Sequence, residues 1–296
     1  MDFINFYFLP GIVLGSIYAL GAIGVSLVFG ILRFANFSHG ELMLIGAYIT
    51  YTLIHFTGLH PLAILPIAMI FTGVVALGID HVFYRPFRTS KATIVIVASF
   101  GVALMARSAV QIIWGVDPVS YSPGQIQKPI ILFDSLRIFS KHIWIVSCAI
   151  VLMLTIHVIL TYTKTGKAMR AMSDSTELAR LTGIETEKIV RATWLLGAAL
   201  AASAGVFLAW DTHLHTMMGF YMLLPMFAAA ILGGIGQPYG AMVGGLVIGL
   251  AEELSSYPWI GGEPLLPPAY KGGVAFAVMV MMLIWRPSGL FRGRVF

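Results

Sequence analysis

Residues 94–113 read IVIVASFGVALMARSAVQII. Arg107 is the only charged side chain in this run, and its apolar residues occupy every face of a helix rather than one stripe. At about 1.5 Å per residue, a helix of about 20 residues crosses the hydrocarbon core of a bilayer. A strand of a membrane barrel would instead alternate polar and apolar residues in segments of roughly ten. The stretch reads as a transmembrane helix. Similar runs lie near 8–30, 40–55, 62–79, 143–162, 190–209, 222–233, 240–254 and 273–285. The run at 222–233 is too short to span unaided and reads as a half-helix or as a segment enclosed by protein.

Composition agrees. The 296 residues are 58% hydrophobic and 10% charged, against about 25% charged in a soluble domain. The expectation is a single all-α polytopic membrane domain over 1–296, with about 8–9 transmembrane segments. The opening MDFINFYFLPG has no basic residue ahead of its apolar run, which argues against a cleaved signal peptide. The lone Cys148 lies inside an apolar run, excludes an internal disulfide or a cysteine metal site, and reads as packing.

Charge supplies a topology. With the carboxyl terminus in the cytoplasm and the segments alternating, 13 of the 18 Lys and Arg residues fall inside, from Arg33 through Arg294. Lys128, Arg137, Lys141 and Lys271 fall outside, and Arg107 lies near a membrane end, where its guanidinium would snorkel to the headgroups. This positive-inside bias places the amino terminus outside. It also accounts for the net charge of +5 by lipid topology, without nucleic acid.

Residues 163–191, TKTGKAMRAMSDSTELARLTGIETEKIVR, hold ten of the 31 charged side chains. A charge at the bilayer centre costs about 2.5–3.5 kcal/mol, so this segment belongs in the cytoplasm. GKAMRAM reads as one short helix. Asp174 can cap a second, with Glu177 three residues on in a box-like arrangement. Leu178 and Leu181 then share a face, and Gly183 suits the left-handed residue that ends a helix. The pattern fits a solvated connector or a docking element for another cytoplasmic protein. The fragment TGK is no phosphate loop: Thr161 stands where the first glycine should be, and Ala168 follows Lys167.

Two stretches resemble the permease subunits of ABC importers for branched-chain amino acids: GSIYALGAIGVSLVFGILRFANFSHGELMLIGAY at 15–48, and TGKAMRAMSDSTELARLTGIE leading into ATWLLGAALAASAG and AAAILGGIGQPYGAMVGG. The likeness covers essentially the whole chain. It implies a non-catalytic membrane subunit with two structural halves of opposite membrane orientation. It also implies a second permease subunit, two ATP-binding cassette subunits that use ATP and Mg2+, an extracytoplasmic solute-binding protein, and a bacterial cytoplasmic membrane. The chain itself would bind no cofactor. The loop at 163–191 would seat in the ATPase, a role carried onto Gly166, Arg170, Ala171, Ala179, Gly183 and Ile184. The family also includes urea and short-chain amide permeases, which these motifs do not separate. An ion-coupled secondary transporter is a more distant alternative; for it the chain offers chiefly His157 and Glu41 as ionisable groups at membrane depth.

Other motifs keep two readings each. NFSHGE puts Asn36, Ser38, His39 and Glu41 between two spans. They read as a helix–helix turn, with Asn36 and Ser38 capping, Gly40 bending and Glu41 at a helix amino end, or as part of a translocation path. Gly236, Gly240 and Gly244 recur every four residues, as do Gly11, Gly15 and Ala19. That spacing serves close helix packing or a moving seam beside the path. Asp211, His213 and His215 could approach a metal, but an outer loop is the plainer reading and no metal site is expected. His157 reads as a buried histidine bonded to a neighbouring carbonyl.

Overall fold

The computed structural model describes residues 3–88, 90–121, 129–132, 136–258, 266–267 and 270–291. Among the described residues, nine apolar helices coincide with the nine hydrophobic runs: α1 (Leu9–Leu32), α2 (His39–Thr57), α3 (Pro61–Ile79), α4 (Ala92–Trp114), α5 (Ser140–Tyr162), α8 (Thr186–Asp211), α9 (Met218–Gly233), α10 (Pro238–Leu254) and α11 (Lys271–Trp285). Two short helices, α6 (Lys164–Asp174) and α7 (Thr176–Leu181), form a hairpin between α5 and α8. A two-stranded antiparallel hairpin, β1 (Ile130–Leu132) with β2 (Leu136–Ile138), precedes α5. Five helical stretches among the described residues are long and apolar enough to cross a membrane: Ile4–Leu32, Pro61–Phe87, Ala92–Trp114, Ser140–Tyr162 and Thr186–Asp211. The remaining apolar helices are shorter, α9 having 16 residues with Pro225 inside it.

Equal apolarity does not mean equal burial. The most apolar 18-residue windows of α1 and α8 are 83% and 78% buried, against 28% for both α4 and α5. The cause is side-chain size. Gly11, Gly15 and Ala19 lie on the face of α1 that meets α10, and a Cβ on Gly245 or Gly249 would run into the backbone of Ala19 or Gly15. In lipid there is no hydrophobic drive between helices, so close backbone approach and dispersion hold such seams together. Bulkier residues on α4 and α5 leave Leu104, Met105, Ile112, Val151 and Leu154 exposed, which suits a lipid-facing position.

The helices pair as two four-helix halves, α1–α4 and α8–α11. The leading helix of each lies against the third helix of the other, α1 on α10 and α8 on α3. The second helices meet reciprocally: a Cβ on Gly40 would strike the Gly219 carbonyl, and a Cβ on Gly219 the Gly40 carbonyl. The leading helices meet at Gly24 and Gly197, each facing the other's carbonyl. The end of α1 lies beside the start of α8, as Leu32 and Thr186 line one cavity. The two therefore run antiparallel, the relation expected of inverted halves.

The four-residue glycine spacing resolves unequally. Gly240 and Gly244 are helical and press on Gly233 and Ala229 of α9. Gly236 is not helical. It sits in the α9–α10 turn at φ +82°, a conformation that favours glycine, beside Gly30.

Candidate coupling surface and translocation site

The hairpin is built from local signals. Thr163 accepts a hydrogen bond from the Gly166 amide at 3.1 Å, capping α6. Gly166 is fixed by space: a Cβ there would overlap the backbone of Ile159 and Leu160, so the sharp α5–α6 corner requires glycine. Met169 and Met172 turn inward while Arg170 is exposed and Ala171 half-buried. Asp174 does not cap α7, as the sequence led us to expect; it closes α6 in helical conformation. The cap is Ser175, whose extended backbone (φ −153°, ψ 113°) lets its Oγ accept from the Leu178 amide at 3.3 Å. Glu177 lies exposed in the first turn of α7, where its charge favours the helix amino end.

The far end of α7 closes with paired bonds. The Gly183 amide donates to the Arg180 carbonyl at 3.1 Å and the Ile184 amide to the Ala179 carbonyl at 3.0 Å. This is the Schellman pattern, and Gly183 takes the left-handed position it demands, at φ +84°. Ala179 is buried and Ile184 half-buried, fixing the hairpin to the bundle. Leu178 and Leu181 face the other way and are 64% and 83% exposed. Two leucines so exposed on a charged, six-residue helix form an apolar knob without a partner among the described residues. Arg33, itself left-handed at φ +57°, ends α1 and donates to the Asp174 carbonyl at 3.4 Å, tying the hairpin to α1.

The second site is the turn from α1 into α2. Asn36 and Ser38 do not cap α2 through their side chains. Asn36 Oδ1 accepts from the Ser38 amide at 3.2 Å, from Ser38 Oγ at 2.8 Å and from the Tyr84 hydroxyl at 2.9 Å. The Ser38 and Tyr84 hydroxyls are 2.8 Å apart. These buried oxygens bond one another instead of the helix amides, and they anchor the turn to the segment that follows α3. Phe37 stacks on Phe100 of α4 (4.1 Å between centroids) and leans on Phe227 of α9. His39 is fully buried with its ring against Gly24. Gly40 serves the close approach to Gly219 rather than a bend.

Arg107 does not snorkel. It forms an ion pair with the buried Glu41 and lies over the Phe220 ring at 5.0 Å. A charge flanked by apolar residues at this depth is stabilised by an opposite charge within reach, and Glu41 provides one. The turn therefore brings Asn36, Ser38, His39 and Glu41 together with Tyr84, Arg107 and Phe220. Gly236 and Gly240 lie elsewhere, Gly236 in the α9–α10 turn and Gly240 in the first turn of α10.

The remaining candidates resolve as contacts. Asp211 pairs with Lys141 and His142, both at 3.0 Å, and Leu214 bridges to Val119. No cluster of three metal-ligating side chains occurs among the described residues. Burial lowers the His215 ring below its ordinary pKa. His157 bonds the Tyr239 hydroxyl at 2.9 Å rather than a carbonyl, and Cys148 is half-buried. The loop around 259–265 lies outside the described residues. Sequence reasoning missed the ionic clamp in which Arg88 joins Asp80, at 2.5 Å, to Glu187 of α8. Its only signal was an acid and an arginine flanking one helix end.

The model of the family described as "Branched-chain amino acid transport system / permease component" matches residues 7–283. The chain belongs to this family. It is 35% identical to the high-affinity branched-chain amino acid transport system permease protein LivH of Escherichia coli K12, over 95% of this chain and 92% of that protein. It is 31% identical to the corresponding permease protein BraD of Pseudomonas aeruginosa, over 95% and 93%. It is 27% identical to a probable branched-chain amino acid transport permease protein of Methanocaldococcus jannaschii, over 94% and 90%. The apolar helices and this membership make the chain a multi-pass membrane protein and a non-catalytic component of an ABC-type transport system, which works with an ATPase and a binding protein.

Proposed function

We propose that the chain forms one half of the translocation pathway of a binding-protein-dependent importer for branched-chain amino acids, beside a second, similar permease subunit. The membership of its 35%-identical relative LivH in a branched-chain amino acid transport system supports the substrate. Two ATPase subunits, using ATP and Mg2+, sit beneath it, and an extracytoplasmic protein delivers the solute. The chain lies in a bacterial cytoplasmic membrane with its amino terminus outside and its carboxyl terminus inside, as the distribution of Lys and Arg favours.

The single observation that carries the coupling role is the apolar knob of Leu178 and Leu181, exposed on a capped helix whose opposite side is anchored. Gly166 sets the corner. Arg170, Ala171, Asp174, Glu177, Ala179, Gly183 and Ile184 shape and seat the hairpin, while the two leucines enter the ATPase. The permease makes and breaks no covalent bond. It adopts arrangements open to either side, and ATP biases them through the hairpin because the ATPase binds the arrangements unequally. Asn36, Ser38, His39 and Glu41 form the joint at which α2 and α9 shift, with Gly236 in the turn that follows α9 and Gly240 at the start of α10. The test is uptake of labelled leucine by proteoliposomes holding the whole complex and its binding protein. ATP-dependent leucine accumulation is expected. Accumulation of urea or a short amide without leucine would reassign the substrate, and accumulation without the ATPase subunits would remove the coupling role.

A further inference from the structure

Between the hairpin and the membrane helices lies a cavity of about 380 Å3, within the range of small-molecule pockets, roughly 300–1,000 Å3. Its roof is Met172, Thr176 and Arg180 of the hairpin; its floor is the inner ends of α1, α3, α4 and α8. The exposed leucines of α7 point away from it, so a partner seated on them would leave the cavity between hairpin and bundle.

The lining carries charge of both signs above an apolar base. Asp80 is 4% exposed, and its Oδ2 meets Arg88 at 2.5 Å while its Oδ1 is buried without a hydrogen-bond partner. A buried carboxylate oxygen left unpaired is costly unless a donor reaches it. Arg180, on the roof, makes no ion pair among the described residues. Ile31, Leu32, Val95 and Val190 supply the apolar wall. An acid with a free oxygen, an uncommitted guanidinium and an aliphatic wall together match the three parts of an aliphatic α-amino acid: ammonium, carboxylate and side chain.

We propose that this cavity binds an aliphatic α-amino acid from the cytoplasmic side, with the ammonium on Asp80 and the carboxylate on Arg180. The proposal rests on the importer reading above. The bound molecule stabilises the arrangement in which the lining elements enclose this cavity, so it opposes the change to the other arrangement that ATP drives. The transported product would thereby restrain its own import.

The test uses the whole complex in proteoliposomes whose ATPase subunits face the medium, without binding protein. Basal ATP turnover is measured as leucine is added to the medium, each rate being taken relative to the same protein without leucine. Leucine is expected to lower turnover in the wild type. The half-inhibiting concentration should rise by about tenfold or more in Arg180→Gln and in Asp80→Asn, as removal of a charged hydrogen-bond partner implies. Arg180→Gln leaves the Asp80–Arg88–Glu187 clamp in place, so it remains informative if Asp80→Asn fails to assemble. Unchanged turnover in the wild type, equal inhibition in the variants, or equal inhibition by inorganic phosphate would overturn the proposal. Leucine import in the same preparation separates the two readings. Intact import without inhibition rejects only this cavity's role, whereas absence of import rejects the substrate assignment and this proposal with it.

Discussion

The α1–α10 seam and the α7 hairpin place apolar surface in opposite ways. In the seam, Gly11, Gly15 and Ala19 let two helices of one chain touch backbone to backbone, and the apolar surface is consumed internally. On the hairpin, Leu178 and Leu181 stand in the open while the cap and the Schellman close spend their bonds on holding the small helix in shape. The first region resists motion through contact. The second is a rigid handle whose contact is left for another protein.

The comparison breaks most sharply at the seam. Gly249→Leu drives a side chain into the backbone of Gly15. Overpacking costs about 1–3 kcal/mol where side chains can yield, and here backbone stands opposite. Loss of folded protein is expected, read as the disappearance of the monodisperse peak in detergent. A normal peak would show that the seam is loose.

Next is the ion pair at the α2–α4 contact. Arg107→Met leaves Glu41 buried and unpaired, with an expected cost of about 3–5 kcal/mol. Adding Glu41→Gln should recover most of the lost thermal stability. Failure of the double variant to recover would mean that Arg107 acts through its stacking on Phe220 and not through Glu41.

The smallest effect belongs to the handle. Ser175→Ala removes the α7 cap at a cost of about 1 kcal/mol. Membrane levels should stay normal, and hydrogen exchange across 176–181 should accelerate. Unchanged exchange there would place the order of α7 in its tertiary contacts instead of its cap.

Much of this was legible in the sequence, for reasons that differ by region. The nine helices followed from the length and apolarity of their runs, because lipid forces backbone groups to bond within the segment. The hairpin followed from short-range chemistry, Gly183 above all. The cap was misplaced by one residue because Asp174 and Ser175 are both good caps and only the backbone angles decide between them. Arg107 was misread because its partner Glu41 lies 66 residues away, and no local pattern encodes such a pairing. Tyr84 escaped notice for the same reason: its bonds to Asn36 and Ser38 cross 48 and 46 residues.

The central claim is that a separate motor grips the hairpin by its exposed leucines. The direct measurement is solute-stimulated ATP turnover by the reconstituted complex carrying Leu178→Asp and Leu181→Asp. Both side chains point away from the bundle, so the permease should reach the membrane at normal levels while stimulation disappears. Full stimulation in that double variant would contradict the account.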